Sequence, residues 1–449
     1  MIDNNLKNLR EKVNEIDNKI LDLLDGRSEI VYNIGKIKNK SEGIVDLNRE
    51  QSVLNRIVNS SKGRYSKDSI IRIWRELFEA STKLQTDLKS SIYTKRSIDN
   101  IKIYEGGGGN ISKIKRTDNK IDIIKLSSNE NAFGPSKNIS FSSLSHSLNR
   151  YPEISGITLR TKISKFYNLK KNQIILGCGS DETLLFAALA FCQSGDEIIH
   201  AEHGFEMYSI IAKIVGAVSK PAKELNYKVS VKSILAELTP ATKIIYLANP
   251  NNPSGSYLSK KEIRDLMSKI PKSIIVVLDG AYAEYVMKDD YDFNFSLVEE
   301  FENIILTRTF SKVYGLAGIR LGWCYTSEKV ASILNRVKGP FNTNSFAQHI
   351  ALVALEDQDH LKMVISENKK NKKWFESELK RLNIKFLPSY ANFSFIVSTE
   401  LFANKISENL LKNGIIIRKL NSYNLPHCLR ITIGKIEDMK KVINVLEKI

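Results

Sequence analysis

Leu6, Leu9, Val13, Ile16, Ile20, Leu23, Ile30, Ile34 and Ile37 recur on alternating three- and four-residue steps near the start of the chain. That spacing predicts one long amphipathic helix. The step between Leu23 and Ile30 is filled by Arg27. A second stripe runs through Ile70, Trp74, Leu77, Leu84 and Leu88 with Ser81 at an inward step, and a shorter helix is predicted around Glu50 to Val58. Three helices of such unequal length enclose little core, so long helices from two chains are expected to pair.

Residues from about Lys89 to Asp122 show few apolar positions and no sustained period, and include Gly106, Gly107, Gly108 and Gly109. No strand pattern precedes the glycines and no GK[ST] follows, so 91–122 reads as a flexible linker rather than a phosphate cradle. From Ile123 onward short β-branched runs alternate with helical ones: Gln173 to Leu176, Glu197 to His200, Lys243 to Leu247, Ser273 to Leu278 and Asn303 to Thr307. Such alternation predicts buried parallel or mixed strands in an α/β layer. The segment from about Ser332 to Ile449 carries two long helical stretches and the strand-like Asn392 to Val397 and Leu429 to Ile433, a smaller α+β lobe. The expected whole is an α+β multidomain chain. An all-α module over 1–90 and the linker precede residues 123–449, with a large domain over about 150–330 and a small one over about 331–449.

Composition narrows the function classes. The 449 residues are 42% hydrophobic and 26% charged, an ordinary globular balance for two or three domains. The longest apolar run, Leu184 to Phe191, falls far short of the roughly 20 residues a membrane helix needs, and the first residues lack an apolar signal core. A cytoplasmic protein without membrane partners is expected. Cys178, Cys192, Cys324 and Cys428 show no CxxC or Cys/His spacing, so reduced thiols and no metal site are expected. The net charge of +17 is spread through a chain rich in Lys, Asn and Ile, without a basic block interleaved with aromatics. Small anionic substrates fit it better than nucleic acid. His200 and His203 read as structural or solvent-facing.

An arginine at a core step costs several kcal/mol, on the order of a buried ion's desolvation, unless something anionic meets it. An internal ion pair or a bound anion would serve. Lys38 follows Arg27 by about three turns, roughly 16 Å along the helix and on nearly the same side. Ser81 and Gln85, at i and i+4, share a face. With Arg10, Asp46, Arg49 and Glu50 they form a cationic, hydrogen-bonding set suited to a small dianion.

The run LREKVNEIDNKILDLLDGR, followed by GKIK, DLNRE and ASTKLQ, resembles the all-helical class of chorismate mutase over residues 6 to 88. The resemblance implies an intertwined dimer that converts chorismate to prephenate. It implies that Arg10 enters the partner subunit's site and that Arg27 and Arg49 hold the substrate carboxylates. Lys38 and Gln85 would touch the ether oxygen, and Asp46, Glu50 and Ser81 would orient hydroxyl and carboxylate groups. A Claisen rearrangement needs only a reactive conformer and stabilisation of the charge growing on that oxygen, which such residues supply. A non-catalytic dimerisation or sensing module is the alternative.

The strongest local signal is Thr309-Phe310-Ser311-Lys312-Val313-Tyr314-Gly315-Leu316-Ala317-Gly318-Ile319-Arg320. A lysine just after a strand, flanked by hydroxyls and followed by an arginine, suits an aldehyde-capturing amine beside a phosphate clamp; a surface lysine on a Gly-rich turn is the bland reading. Three clusters favour the first: Ala248-Asn249-Pro250-Asn251-Asn252-Pro253-Ser254-Gly255, Leu278-Asp279-Gly280-Ala281-Tyr282 and Gly177-Cys178-Gly179-Ser180-Asp181-Glu182. All fall at carboxyl ends of predicted strands, where α/β sheets bind ligands, and the last opens a helix whose free N–H groups suit phosphate.

In this order the clusters resemble fold-type I pyridoxal-phosphate aminotransferases, most closely the histidinol-phosphate aminotransferase family, over about Lys125 to Ile449, including LSSNENAFGPS, RYPEISGITLR and LRITIG. The resemblance implies that Lys312 bonds pyridoxal 5'-phosphate and later moves a proton, and that Asp279 pairs with the pyridinium nitrogen. Tyr282 and Asn252 would hydrogen-bond the cofactor's O3′. The backbone at Ser180, Asp181 and Glu182, with Thr309, Ser311, Arg320 and the partner subunit's Tyr151, would hold the phosphate. Phe205 would stack on the ring, and Arg430 and Arg418 would take the substrate's anionic group. Joined to a mutase, the aminotransferase is expected to act on prephenate or an aromatic 2-oxo acid with a donor such as glutamate. Histidinol-phosphate transamination with an attached mutase is the alternative.

Overall fold

The computed structural model describes residues 2–37, 46–86, 96–99, 101–104, 106, 123–140, 149–291, 293 and 295–449. They divide into two compact units, Met1–Ile101 with Ser194–Asp196, and Lys102–Gln193 with Glu197–Ile449. Among the described residues no helix is long and apolar enough to cross a membrane.

The first unit is helical: α1 Ile2–Ile37, α2 Leu47–Ser60 and α3 Lys67–Thr86, with a single turn at Arg96–Asp99. Asp46 starts α2 by accepting a hydrogen bond from the Arg49 N–H at 2.9 Å, which satisfies one of the orphan donors of the first turn. The long apolar stripe does not point inward as its period predicts. Its members from Leu6 to Ile37 are 43% to 80% exposed. α1 instead meets α3 along Arg27, Val31 and Gly35, where a methyl group on Gly35 would stand 2.9 Å from Cγ of Gln85. Much of the stripe is left uncovered within one chain because α1, at 36 residues or about 54 Å, far outruns the roughly 30 Å of α3. Among the described residues of this unit only Val31, Leu54 and Phe78 are buried apolar side chains.

The second unit holds strands β1 Ile124–Leu126, β2 Ile174–Gly177, β3 Glu197–Ala201, β4 Val218–Ala222, β5 Glu224–Leu225, β6 Lys228–Val229 and β7 Thr242–Ala248. Beyond these come β8 Ile275–Asp279, β9 Ile304–Thr309, β10 Gly322–Thr326, β11 Phe386–Leu387, β12 Phe393–Val397, β13 Ile415–Leu420 and β14 Leu425–Thr432. The main sheet runs β2-β10-β9-β8-β7-β3-β4, and β10 alone is antiparallel to its neighbours. Runs such as Ile244-Ile245-Tyr246-Leu247 and Ile275 to Leu278 are buried throughout, as expected of strands covered on both faces. Parallel β7 and β8 and neighbouring β9 therefore bring Ala248, Asp279 and Thr309 to one edge of the sheet.

A second sheet, β1-β13-β14-β12-β11, belongs to the C-terminal lobe, and β1 joins it by parallel pairing of Ile124 with Ile415. The two long helical stretches expected there are five helices, Glu328–Val337, Ser345–Glu356, Gln358–Arg381, Glu400–Lys412 and Ile436–Leu446. Asn344 and Asp357 interrupt the pattern by capping the two helices that follow them.

Candidate active sites

In the helical unit three of the expected residues meet. Arg27 Nη1 donates to Ser81 Oγ at 2.6 Å, and one turn away Gln85 Nε2 donates to the Val31 carbonyl at 3.2 Å. The Arg27 guanidinium is half-buried, its acceptor is a neutral hydroxyl, and among the described residues no ion pair joins it to a carboxylate. Among the described residues, then, its charge is not met by an internal ion pair and is available to an anion. Arg10 sits about 25 Å further up α1 and exposed, away from Arg27 within one chain. Asp46 is engaged as the cap of α2, Arg49 is exposed and Glu50 half-buried, while Lys38 lies outside the described residues.

In the second unit one cavity of about 360 Å³ opens at the carboxyl edge of the main sheet. Lys312 lines it, three residues beyond β9, with Nζ donating to the Ser128 carbonyl at 3.1 Å and standing 5.7 Å from the centre of the Tyr282 ring. Burial, reinforced by the Arg430 guanidinium, brings its ammonium down to about 8. Asp279, the last residue of β8, is buried and accepts from Tyr208 Oη at 2.9 Å and Thr307 Oγ1 at 3.0 Å. Desolvation raises this carboxyl, and the two hydroxyl donors oppose the rise. Tyr282, three residues on, accepts from Asn129 Nδ2 at 2.8 Å.

Opposite the lysine, the helix Ser180–Phe191 points its N-terminus at the cavity with Ser180 and Asp181 on the wall. Thr309, Ser311 and Arg320 complete that end, with Arg320 Nη1 at 3.4 Å from Ser311 Oγ and Nη2 at 3.3 Å from Asp181 Oδ2. Gly179 has φ +81°, and a Cβ there would lie 2.5 Å from Arg320 Nη2, so only glycine leaves room for the guanidinium. Helix N–H groups, two hydroxyls and an arginine together are the donor set of a phosphate cup. Glu182, expected to contribute through its backbone, keeps its carboxylate off the cavity wall: it folds back to accept from the Cys178 N–H and Asn342 Nδ2, both at 2.6 Å.

At the other end stand Arg430, Arg418, Asn252, Phe205, Tyr423 and Tyr104. Arg430 is buried, donates to Asn252 Oδ1, and reaches the Ser127 carbonyl at 2.7 Å. Phe205 meets the Tyr104 ring edge-on at 6.4 Å. Tyr151 is not on this wall; it is 80% exposed and stacks on Phe341 at 4.5 Å. His200 is buried, hydrogen-bonded to the Ala201 carbonyl and Ser219, and belongs to the sheet rather than the site. Tyr104, Asn129, Tyr208 and Thr307 were not singled out from sequence. Tyr208 had a signal in the aromatic spacing of HGFEMY, whereas Tyr104 lies in the stretch read as a spacer and departs from that reading by lining the cavity.

Comparison with known proteins assigns a family to each unit. The family model "Chorismate mutase type II" matches residues 9–86, and "Aminotransferase class I and II" matches residues 121–446. The histidinol-phosphate aminotransferase of Roseobacter denitrificans is 39% identical over 354 residues, covering 78% of this chain and 96% of that protein. Histidinol-phosphate aminotransferase 2 of Haemophilus influenzae is 36% identical, covering 79% of this chain and 97% of that protein. The histidinol-phosphate aminotransferase of Sinorhizobium meliloti, solved in complex with pyridoxal-5'-phosphate, shares the fold at TM-score 0.73 and 22% identity over 80% of this chain and 99% of its own. A buried amine of lowered basicity, a buried carboxylate and a phosphate cup fit pyridoxal phosphate, which is the cofactor of the second unit. The chain thus belongs to the class I and II aminotransferases and carries a type II chorismate mutase domain ahead of the transferase, an isomerase and a transferase in one polypeptide.

Proposed function

We propose that the chain catalyses two steps of aromatic amino-acid synthesis: chorismate to prephenate in the helical unit, and amino transfer to prephenate or a derived aromatic 2-oxo acid in the second. The observation that carries this reading is the union of the two domains in one polypeptide. The mutase's product bears a 2-oxo acid side chain, the functional group an aminotransferase takes as acceptor.

In the helical unit Arg27 and Arg49 hold the two carboxylates in the compact conformer, while Gln85 and Lys38 donate to the ether oxygen as its bond breaks. Ser81, Asp46 and Glu50 orient the substrate, and Arg10 acts in the site of a second copy. Ordering these groups before reaction is the whole contribution, since no proton moves.

In the second unit pyridoxal phosphate, when bound, supplies an aldehyde for the amino group and an electron-withdrawing ring. The phosphate is held by the Ser180 and Asp181 backbone, Thr309, Ser311 and Arg320, with Tyr151 from a second copy. Asp279 keeps the ring nitrogen protonated, Tyr282 and Asn252 donate toward O3′, and Phe205 packs on the ring. Lys312 carries the proton to and from the substrate's Cα, a task favoured by an amine that titrates at about 8. Arg430 receives the carboxylate.

The competing reading, histidinol-phosphate transamination, is favoured by the names of the similar relatives. A half-reaction assay on protein first converted to its pyridoxamine form by an amino donor decides between them by comparing prephenate, phenylpyruvate and imidazole-acetol phosphate as acceptors. Preference for either of the first two supports the aromatic assignment, and preference for the imidazole substrate overturns it.

A further inference from the structure

The anion-binding end of the cavity holds two arginines in different electrostatic states. Arg430 donates to Asn252 Oδ1 and the Ser127 carbonyl, both uncharged, and its buried Nε has no protein partner. Its full positive charge faces the cavity. Arg418 is instead paired with Glu206, Nη2 to Oε2 at 3.1 Å, and the two side chains are only 11% and 17% exposed. Glu206 does not itself line the cavity, yet its charge reaches the ligand space. It opposes Arg418 at the Tyr104 hydroxyl on the cavity wall: beyond the desolvation that raises this phenol, Arg418 favours its ionised form and Glu206 disfavours it. The same pair acts on Tyr423 on the neighbouring wall.

We propose that Glu206 is a specificity-determining residue: by neutralising Arg418 it leaves one uncompensated guanidinium, so the pocket favours a singly charged carboxylate and disfavours a doubly charged phosphate. This rests on the aminotransferase reading above. A phosphate monoester concentrates about −1.5 to −2 charges on one group and needs both arginines. Placed against Arg418 it would also face the Glu206 carboxylate in a region shielded from water, where like charges repel strongly. A carboxylate on Arg430 meets no such neighbour. Because Glu206 acts through Arg418, it positions charge rather than touching substrate.

The test uses holoenzyme and the ratio of kcat/KM for imidazole-acetol phosphate to that for phenylpyruvate. Glu206→Gln keeps the shape and removes the charge. It should raise the ratio at least about tenfold, chiefly through KM of the phosphate substrate, as removal of a close like charge requires. Glu206→Asp, which keeps the charge, should retain the wild-type ratio. Glu206→Ala supplies a second neutral variant should the Gln form lose cofactor. An unchanged ratio in the neutral variants overturns the inference, as does an Asp variant that shifts as far as Gln; a packing defect would lower both substrates together. The change in ratio tests Glu206, whereas its absolute value in the wild type tests the aromatic assignment, so the two failures are distinguishable.

Discussion

Only a neutral amine attacks an aldehyde, and burial beside Arg430 brings Lys312 down to about 8. Cofactor uptake by the apoenzyme, followed by visible absorbance, should therefore speed up about tenfold per pH unit below about 8 and level off above it. A rate flat from pH 6 to 9 would contradict the assignment, and Lys312→Ala should take up no visible-absorbing cofactor. Asp279 gives a second pH signature. Tyr208 donates to its ionised form, so Tyr208→Phe removes a group that lowers the carboxyl and lets desolvation push it further up. Transamination should fall by up to about tenfold, with the deficit deepening as pH falls, because a carboxyl raised further takes up its proton at a higher pH than in the wild type. Lys312, Asp279, Tyr282, Asn252 and Arg320 were legible in sequence because each sits in a short cluster after a strand, Arg430, inside β14, only through the family resemblance of the LRITIG run, and all six line one cavity. The Glu206–Arg418 pair was not, since its partners are 212 positions apart and nothing local marks them. Tyr104 was hidden for a different reason: one aromatic in a stretch without period leaves no pattern.

At the scale of elements, periodicity read out helix existence but not how much of a helix its own chain would cover. The stripe of α1 is regular, yet it is exposed, and α1 touches α3 through the face of Arg27 and Gly35. A second copy of the helix is the proposed cover for a seam of that length, since among the described residues its own unit buries only three apolar side chains. If Arg10 acts across the pair as proposed, Ile20→Lys, at the middle of the seam, should lower self-association in sedimentation and cut chorismate turnover more than tenfold. Turnover retained in a dissociated protein would remove Arg10 from the site. Among strands, β2, β3, β7, β8 and β9 were visible as buried β-branched runs. β4 was not: Val218–Ala222 is an edge strand, partly exposed and carrying Pro221, where hydrophobic pattern is weakest. β10 was obscured by the glycine-rich motif that leads into it.

For the whole molecule, composition and the change of period near Ile123 separated an all-helical unit from an α/β one, and the fusion itself carries the functional reading. Two chemistries with no shared residue should be separable by point substitution. Arg27→Ala removes the charge proposed to hold chorismate and should lower mutase turnover at least a hundredfold while leaving transamination at the wild-type rate. Lys312→Ala should do the reverse. Mixing the two variants with chorismate and glutamate then tests how the steps are joined. If prephenate diffuses freely, the mixture should form the aminated product after the same lag as wild type at equal site concentrations, because each site sees only the bulk pool. If product passes between sites of one molecule, the wild type should show a shorter lag that the mixture does not reproduce, and an unrelated acceptor should compete poorly in the wild type but well in the mixture. Equal lags with equal competition would make the fusion a means of matching the amounts of two enzymes rather than of transferring their intermediate.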